Sequence, residues 1–301
     1  MTPMTTLSLA GQVPELPESF TPSYRAGRGT PLVLLHGATM SWRAWRPVLP
    51  FLVGRHDVFA PTLTGHRGGP DLCPDAAPGM AAIVDQLCAQ FDEAGIETAH
   101  LVGNSLGGWV ALELARRGRA RSVTAFSPAG AWRTRRDFER LVALFHTTHR
   151  VLGNPLLGPL VRNRTLQWLG LTRVAAHPAH IPAEDVREMI ADMLGCAMFD
   201  AMFRSPLELA GLAPFDVAHC PVRIAWAGRD RVIPYRRFGR PMRELVPGAE
   251  FSLLPGVGHL PMYDDPRLVA RTVLELTSAV DAANRVEPPL RATRRPRRRT
   301  A

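Results

Sequence analysis

The chain has no lysine: all 36 of its basic residues are arginine, a bias too uniform to trace to any one site. Cysteine is scarce as well. Cys73, Cys88, Cys196 and Cys220 show neither C-x-x-C nor ligand-like spacing, which argues against a disulfide framework or a zinc site and fits a reducing compartment. No run of 18 apolar residues exists to span a bilayer, and residues 1–20 lack the basic start and apolar stretch of a secretory signal. A soluble, cytoplasmic protein without stable membrane insertion is therefore expected; its oligomeric state is not legible.

Acid is short of base, leaving a net charge of +9, but the excess is unevenly placed. Residues 285–301 hold seven arginines and one acid, Glu287, so the tail carries +6 and the body only +3. No aromatic residue interleaves those arginines for base stacking and no amphipathic helix precedes them. The tail is read as a solvated, disordered end rather than an anchor for nucleic acid or anionic lipid, and no nucleic-acid partner is expected.

What is present is 301 residues at 46% hydrophobic composition, enough for one large core. Short apolar runs at residues 32–35, 57–60, 100–102, 122–126, 222–226 and 250–253 read as strands covered on both faces. They alternate with helical periodicity over 42–52, 80–94, 106–117, 235–245 and 265–282, the pattern of a mostly parallel sheet with helices on both faces. The alternation stops between Trp132 and Phe215, where apolar helical patches are broken by Gly and Pro. The expected layout is an α/β core over 1–131 and 216–284, a helical lid over 132–215 and the tail over 285–301. Any leading antiparallel strand reads as degenerate among the early prolines.

The stretch with most chemical content is His100-Leu-Val-Gly-Asn-Ser-Leu-Gly-Gly-Trp109, a buried-type strand running into G-x-S-x-G and then a helix. At such a turn Ser105 is held up at the carboxyl edge of the sheet, tolerable only if Gly103 and Gly107 carry no side chain. A serine hydroxyl needs a base, and the base an orienting acid. Asp230 follows one strand in Ala227-Gly-Arg-Asp-Arg and His259 follows the next in Pro255-Gly-Val-Gly-His. Each alone is more simply a turn or structural residue; in the order Ser, Asp, His they form a candidate triad.

These motifs, with His36-Gly37-Ala38 after the first clear strand, resemble the α/β-hydrolase superfamily, in particular its lid-bearing, esterase-like branch of serine hydrolases. The resemblance runs from about Pro31 to Ala282. It implies the α/β-hydrolase fold, catalysis by Ser105, Asp230 and His259, and an oxyanion hole made by the backbone N–H groups of Ala38 and Leu106. His36 is then a loop brace. One departure stands out: Thr62 replaces the acid usual before the Gly-x-Gly turn, which puts that loop's geometry in question.

A serine nucleophile argues against the epoxide hydrolases and dehalogenases of this superfamily, which use a carboxylate, and against its cysteine-type lactone hydrolases. Carboxylic ester hydrolysis through an acyl-enzyme is the modal outcome. Carbon–carbon hydrolase, perhydrolase and acyltransferase chemistry remain alternatives, the first weakened because Leu260, not Trp, follows His259. A triad-bearing receptor or scaffold without turnover is a further alternative. No cofactor and no metal is called for; His146 and His149 lack a third ligand. The small-molecule substrate is expected to meet Met40, Trp42, Trp109, Trp132, Met198 and Met202, a set that points to an apolar acyl or aromatic ester.

Overall fold

Leu32, Val33, Leu34 and Leu35 are completely buried, and their alternation sends side chains into two separate cores. Val33 and Leu35 face one cluster with Val84, Leu87, Phe91 and Val110, while Leu32 and Leu34 face another with Trp45, Leu49, Val269 and Val273. A strand buried on both faces is what a parallel sheet between helical layers demands. The computed structural model describes residues 22–72, 79–157, 163–204, 211–217 and 220–286.

Among the described residues seven strands form one sheet: β1 (Ser23–Gly27), β2 (Thr30–Leu35), β3 (His56–Pro61), β4 (Ala99–Asn104), β5 (Ala120–Phe126), β6 (Val222–Ala227) and β7 (Glu250–Leu254). Their spatial order is β1-β3-β2-β4-β5-β6-β7, and every pairing is parallel except that of β1 with β3. The helices are α1 (Leu49–Leu52), α2 (Met80–Glu93), α3 (Leu106–Arg116), α4 (Arg135–Leu152), α5 (Arg164–Leu171), α6 (Ala183–Leu194), α7 (Phe199–Arg204), α8 (Arg240–Leu245), α9 (Pro261–Asp264) and α10 (Pro266–Val286). Helices α4 to α7 stand between β5 and β6, where the sheet pattern stops in the sequence.

Four readings of the sequence need correction. β1 is a formed antiparallel strand; as an edge strand it needs only Tyr24 buried, stacked on Trp42 at 5.4 Å, so its hydrophobic signal is weak. The helix expected over 42–52 breaks into a 3-10 turn, Trp42–Trp45, and α1. Pro47 falls between them, with no N–H to donate and a ring that clashes with the preceding turn. The helix over 235–245 begins with a wide turn in which the Arg240 N–H donates to the Tyr235 carbonyl, just ahead of Pro241. Finally, α10 takes in Arg285, whose cation in the last turn suits the helix dipole; only 287–301 of the tail read as disordered lies outside the described residues, as do 1–21.

An ionic layer fixes α6 to the sheet domain. Ser41 Oγ donates to Asp192 Oδ2 at 2.5 Å, Arg67 donates to Asp192 and Glu188, and Arg46 pairs with Asp185. An adjoining side of α6 presents Val186, Met189, Ile190 and Met193 to a cavity.

Candidate active site

The turn between β4 and α3 places Ser105 at φ 55°, ψ −116°, left-handed territory that a serine enters only under constraint. A Cβ on Gly103 would stand 2.1 Å from the Gly107 carbonyl oxygen, and one on Gly107 would stand 2.1 Å from the Leu35 carbonyl oxygen. Glycine is thus obligatory at both flanks, which is the physical content of the G-x-S-x-G motif. The backbone is locked further: the Ser105 N–H donates to Phe126 O at 3.0 Å, and its carbonyl accepts from Gly108, Trp109 and Ala129.

His259 Nδ1 lies 2.8 Å from Asp230 Oδ2, and the other oxygen, Oδ1, accepts the N–H groups of Val232 and Ile233 at 2.9 and 2.8 Å. The carboxylate is thereby aimed, and the Nδ1–H tautomer it favours leaves Nε2 with its lone pair. Ser105 and His259 line the same cavity of 630 Å³. Ala38 and Leu106 flank Ser105 around a second, smaller cavity of 50 Å³, and Ala38 lines the larger one as well. Among the described residues neither of their backbone N–H groups meets a protein acceptor.

His36 is a brace. Nδ1–H donates to Gly37 O at 2.8 Å and Nε2 accepts the Leu63 N–H at 2.9 Å, so the ring ties the loop carrying Ala38 to the loop after β3. Burial, and then the neighbouring His66, hold its pKa well below the histidine norm, so it stays neutral. Thr62, in place of the usual acid, sits in that second loop and accepts the Trp42 N–H through Oγ1 at 3.4 Å.

Of the six pocket residues read from the sequence, four line a cavity: Met40 the larger, Trp109, Trp132 and Met202 the smaller. Two do not. Trp42, 1% exposed, packs between Tyr24 and the Arg43 and Arg46 guanidinium groups, and Met198 is wholly buried in the core. Apolar character is common to cavity walls and core, and so does not separate them. His146 and His149 pack on Phe199, and the described residues hold no group of three metal-ligating side chains.

Two polar residues that no sequence motif specifies hold the site together. Asn104, beside the nucleophile position, donates through Nδ2 to the carbonyls of Phe126 and His259 at 3.2 and 3.0 Å. The buried Asp264 carboxylate accepts three backbone N–H groups, from Gly258 at 2.6 Å, His177 at 2.7 Å and Ala176 at 2.9 Å. It stitches the inserted segment to the residue before His259, helped by the Leu260 N–H bond to Val174 O at 2.8 Å.

Comparison with known proteins agrees with this architecture. Residues 32–272 match the family model described as "Alpha/beta hydrolase family". The epoxide hydrolase EphH of Mycobacterium tuberculosis is 36% identical over 204 residues, covering 64% of this chain and 92% of that protein. A thermophilic esterase from Thermogutta terrifontis superposes with TM-score 0.65 at 20% identity, covering 86% of this chain and 93% of its own. The 2-hydroxy-6-oxo-6-phenylhexa-2,4-dienoate hydrolase from Rhodococcus gives TM-score 0.67 at 24% identity, covering 85% and 94%. With four fifths of its length inside the family model and its strained serine turn at the carboxyl edge of a seven-stranded sheet, the chain belongs to the α/β hydrolase family.

Proposed function

We propose that the protein is a serine hydrolase that cleaves carboxylic esters with an apolar acyl or aromatic group by way of an acyl-enzyme. The observation that carries this reading is Ser105, at positive φ on an obligatory-glycine turn, sharing a cavity with a histidine whose Nδ1 is hydrogen-bonded to a buried carboxylate. In this reading His259 Nε2 takes the Ser105 proton as Oγ attacks the ester carbonyl. The N–H groups of Ala38 and Leu106 receive the oxyanion, and Asp230 stabilises the imidazolium. His259 then returns the proton to the leaving alcohol, and a water activated by the same ring releases the acid.

The likeness to an epoxide hydrolase is weighed against the nucleophile. Epoxide opening by the Ser105 alkoxide would leave a serine ether, which has no carbonyl for water to attack. Nor does either cavity present a phenol to protonate an opening epoxide oxygen: the chain's three tyrosines, Tyr24, Tyr235 and Tyr263, line neither. The predominantly apolar wall of the larger cavity, with Leu144, Phe145, Leu171 and Met189, supports an apolar substrate.

The test is turnover of p-nitrophenyl esters from acetate to dodecanoate by the wild type and Ser105→Ala, with fluorophosphonate labelling read by mass spectrometry. Turnover and labelling at Ser105, both lost in the variant, are expected. Labelling or turnover that survives Ser105→Ala sinks the assignment, and labelling without ester turnover moves the reading to carbon–carbon cleavage or acyl transfer.

A further inference from the structure

Helix α5 carries Leu166, Trp168, Leu169 and Leu171, yet none of its residues is buried. Trp168 is 48% exposed, Leu169 52%, and Leu156, just before it in the described chain, 86%. Val151 and Leu166 are exposed as well, and both also line the larger cavity, so the apolar surface is continuous with the chamber that holds Ser105. A soluble chain does not ordinarily leave such a patch uncovered at the mouth of a site.

The charge along this segment is one-sided. Between Glu139 and Glu184 the sequence has no acid, although the chain averages about one acid per eleven residues; the same stretch holds Arg140, Arg150, Arg162, Arg164 and Arg173. Arg150, Arg164 and Arg173 are exposed and pair with no acid among the described residues. Exposed Trp and Leu on a segment whose exposed arginines meet no acid among the described residues is the composition of a surface that lies in a lipid interface: the apolar groups enter the acyl boundary and the cations meet lipid phosphates. A second copy of this chain is a poor occupant, since docking the face on itself would set arginines against arginines.

We propose that this face, α5 with the end of α4, docks peripherally on an anionic lipid surface and opens the chamber to an ester dissolved there. The substrate class rests on the ester-hydrolase reading above; the docking does not, because it involves no catalytic group. No helix of the described residues is long and apolar enough to cross a membrane, so the contact is superficial.

The test is co-sedimentation of the full-length Ser105→Ala chain with vesicles of phosphatidylcholine alone and of phosphatidylcholine with a quarter phosphatidylglycerol, at low and high salt. Binding to the anionic vesicles, weakened at least tenfold by Trp168→Ser with Leu169→Ser, and similarly by Arg150→Gln with Arg164→Gln, is expected, with the wild type's hydrolysis of a soluble short ester unchanged by either pair. Melting temperatures check that the pairs remain folded. Absence of binding to either vesicle overturns the proposal. So does binding that both pairs leave intact but that vanishes when Arg294, Arg295, Arg297, Arg298 and Arg299 are changed to Gln, which would assign it to the tail. A dimer in light scattering that Trp168→Ser with Leu169→Ser dissolves overturns it too. Vesicle binding by a protein that hydrolyses no ester would sustain the docking while removing the ester reading.

Discussion

Two Ser–His–Asp clusters lie at opposite ends of β4, about 17 Å apart along the strand. At the carboxyl end are Ser105, His259 and Asp230. At the amino end Ser122 Oγ lies 2.7 Å from His100 Nδ1, His100 Nε2 lies 3.1 Å from Asp281 Oδ1, and Thr30 donates to the other oxygen at 2.9 Å. The amino-end cluster is the more completely hydrogen-bonded of the two, yet it has none of the means for acyl transfer. Ser122 lies in β5, opposite His100 just past a register shift in the β4–β5 pairing, and lines neither cavity. Its partner Asp281 is on α10, so the cluster's work is to fasten the C-terminal helix across the sheet. Connectivity alone does not make a triad; a strained serine, free N–H groups and room for a substrate are also needed.

The sharpest way to break that contrast is to remove each serine. Ser105→Ala is expected to cut ester turnover by roughly three to six orders of magnitude, the range for loss of a nucleophile. Ser122→Ala is expected to leave kcat within about twofold while lowering stability by on the order of 1 kcal/mol for one lost buried hydrogen bond. Initial rates and thermal melts on both variants decide it; a large kcat loss in Ser122→Ala would mean that the two ends are coupled.

Next in size is Asp264→Asn. The amide has one acceptor oxygen for three N–H donors and would turn its own NH2 toward them, loosening the loop that carries His259. Since misplacement of a catalytic group by about 1 Å can cost 10²-fold, kcat is expected to fall by about 10- to 100-fold with KM little changed. If kcat holds while only the melting temperature drops, Asp264 fixes the inserted segment and not the histidine.

Much of the carboxyl-end site was legible because its signals are local. G-x-S-x-G, Gly-Arg-Asp and Gly-His each lie within a few residues, at ends of apolar runs that announce parallel strands. Asn104 and Asp264 are not legible because their partners are backbone groups, some of them far along the chain: 155 residues for the Asn104 bond to His259 O and 87 for the Asp264 bond to the His177 N–H, against 6 for its bond to the Gly258 N–H. Backbone carbonyls and N–H groups leave no trace in side-chain patterning. The amino-end cluster was illegible for the same reason: His100 read as the first residue of a strand, and nothing in residues 265–282 marks Asp281 as its partner. Trp42 and Met198 were misplaced because an apolar side chain has the same letter in a core and in a pocket.

His100→Phe separates the clusters by stability. It leaves the buried Ser122 Oγ without its ring partner and takes one hydrogen bond from the partly buried Asp281, whose Oδ1 keeps Arg121 at 3.6 Å, at a cost of about 1–3 kcal/mol. That corresponds to a fall in melting temperature of several degrees, at roughly 2–4 °C per kcal/mol. The kcat/KM for a soluble ester is expected to stay within about twofold. A comparable loss of activity would show that α10 transmits strain to its other end, where it begins beside α9 and the His259 loop.

The smallest effect is a difference in pH slope. Burial depresses the pKa of His100 and of neighbouring His56, outweighing the attraction of Asp281, while Arg121 and Arg55 push the same way as burial. Both rings are therefore neutral when folded and bind protons more readily when unfolded, so their contribution is complete above about pH 6.5 and is lost as pH falls below it. Asp281 behaves differently: burial alone would raise it, but hydrogen bonds from Thr30 and His100, with the charges nearby, bring it below the usual value. Its contribution is lost only as pH falls through the ordinary carboxylate range. His66, lowered to about 4 by burial at the other end of the sheet, adds to the loss between pH 6.5 and 4. Each such histidine contributes at most about 1.4 kcal/mol per pH unit, and His100→Phe deletes one of them. Denaturant titrations at pH 7.5, 6.0 and 5.0 should therefore show the variant losing stability less steeply than the wild type below pH 6.5, from a lower starting value. Parallel slopes would mean that folding leaves the affinity of His100 for its proton unchanged; a protonated His100 paired with Asp281 would instead make the wild type gain stability over the variant as pH falls from 7.5 towards 6.5.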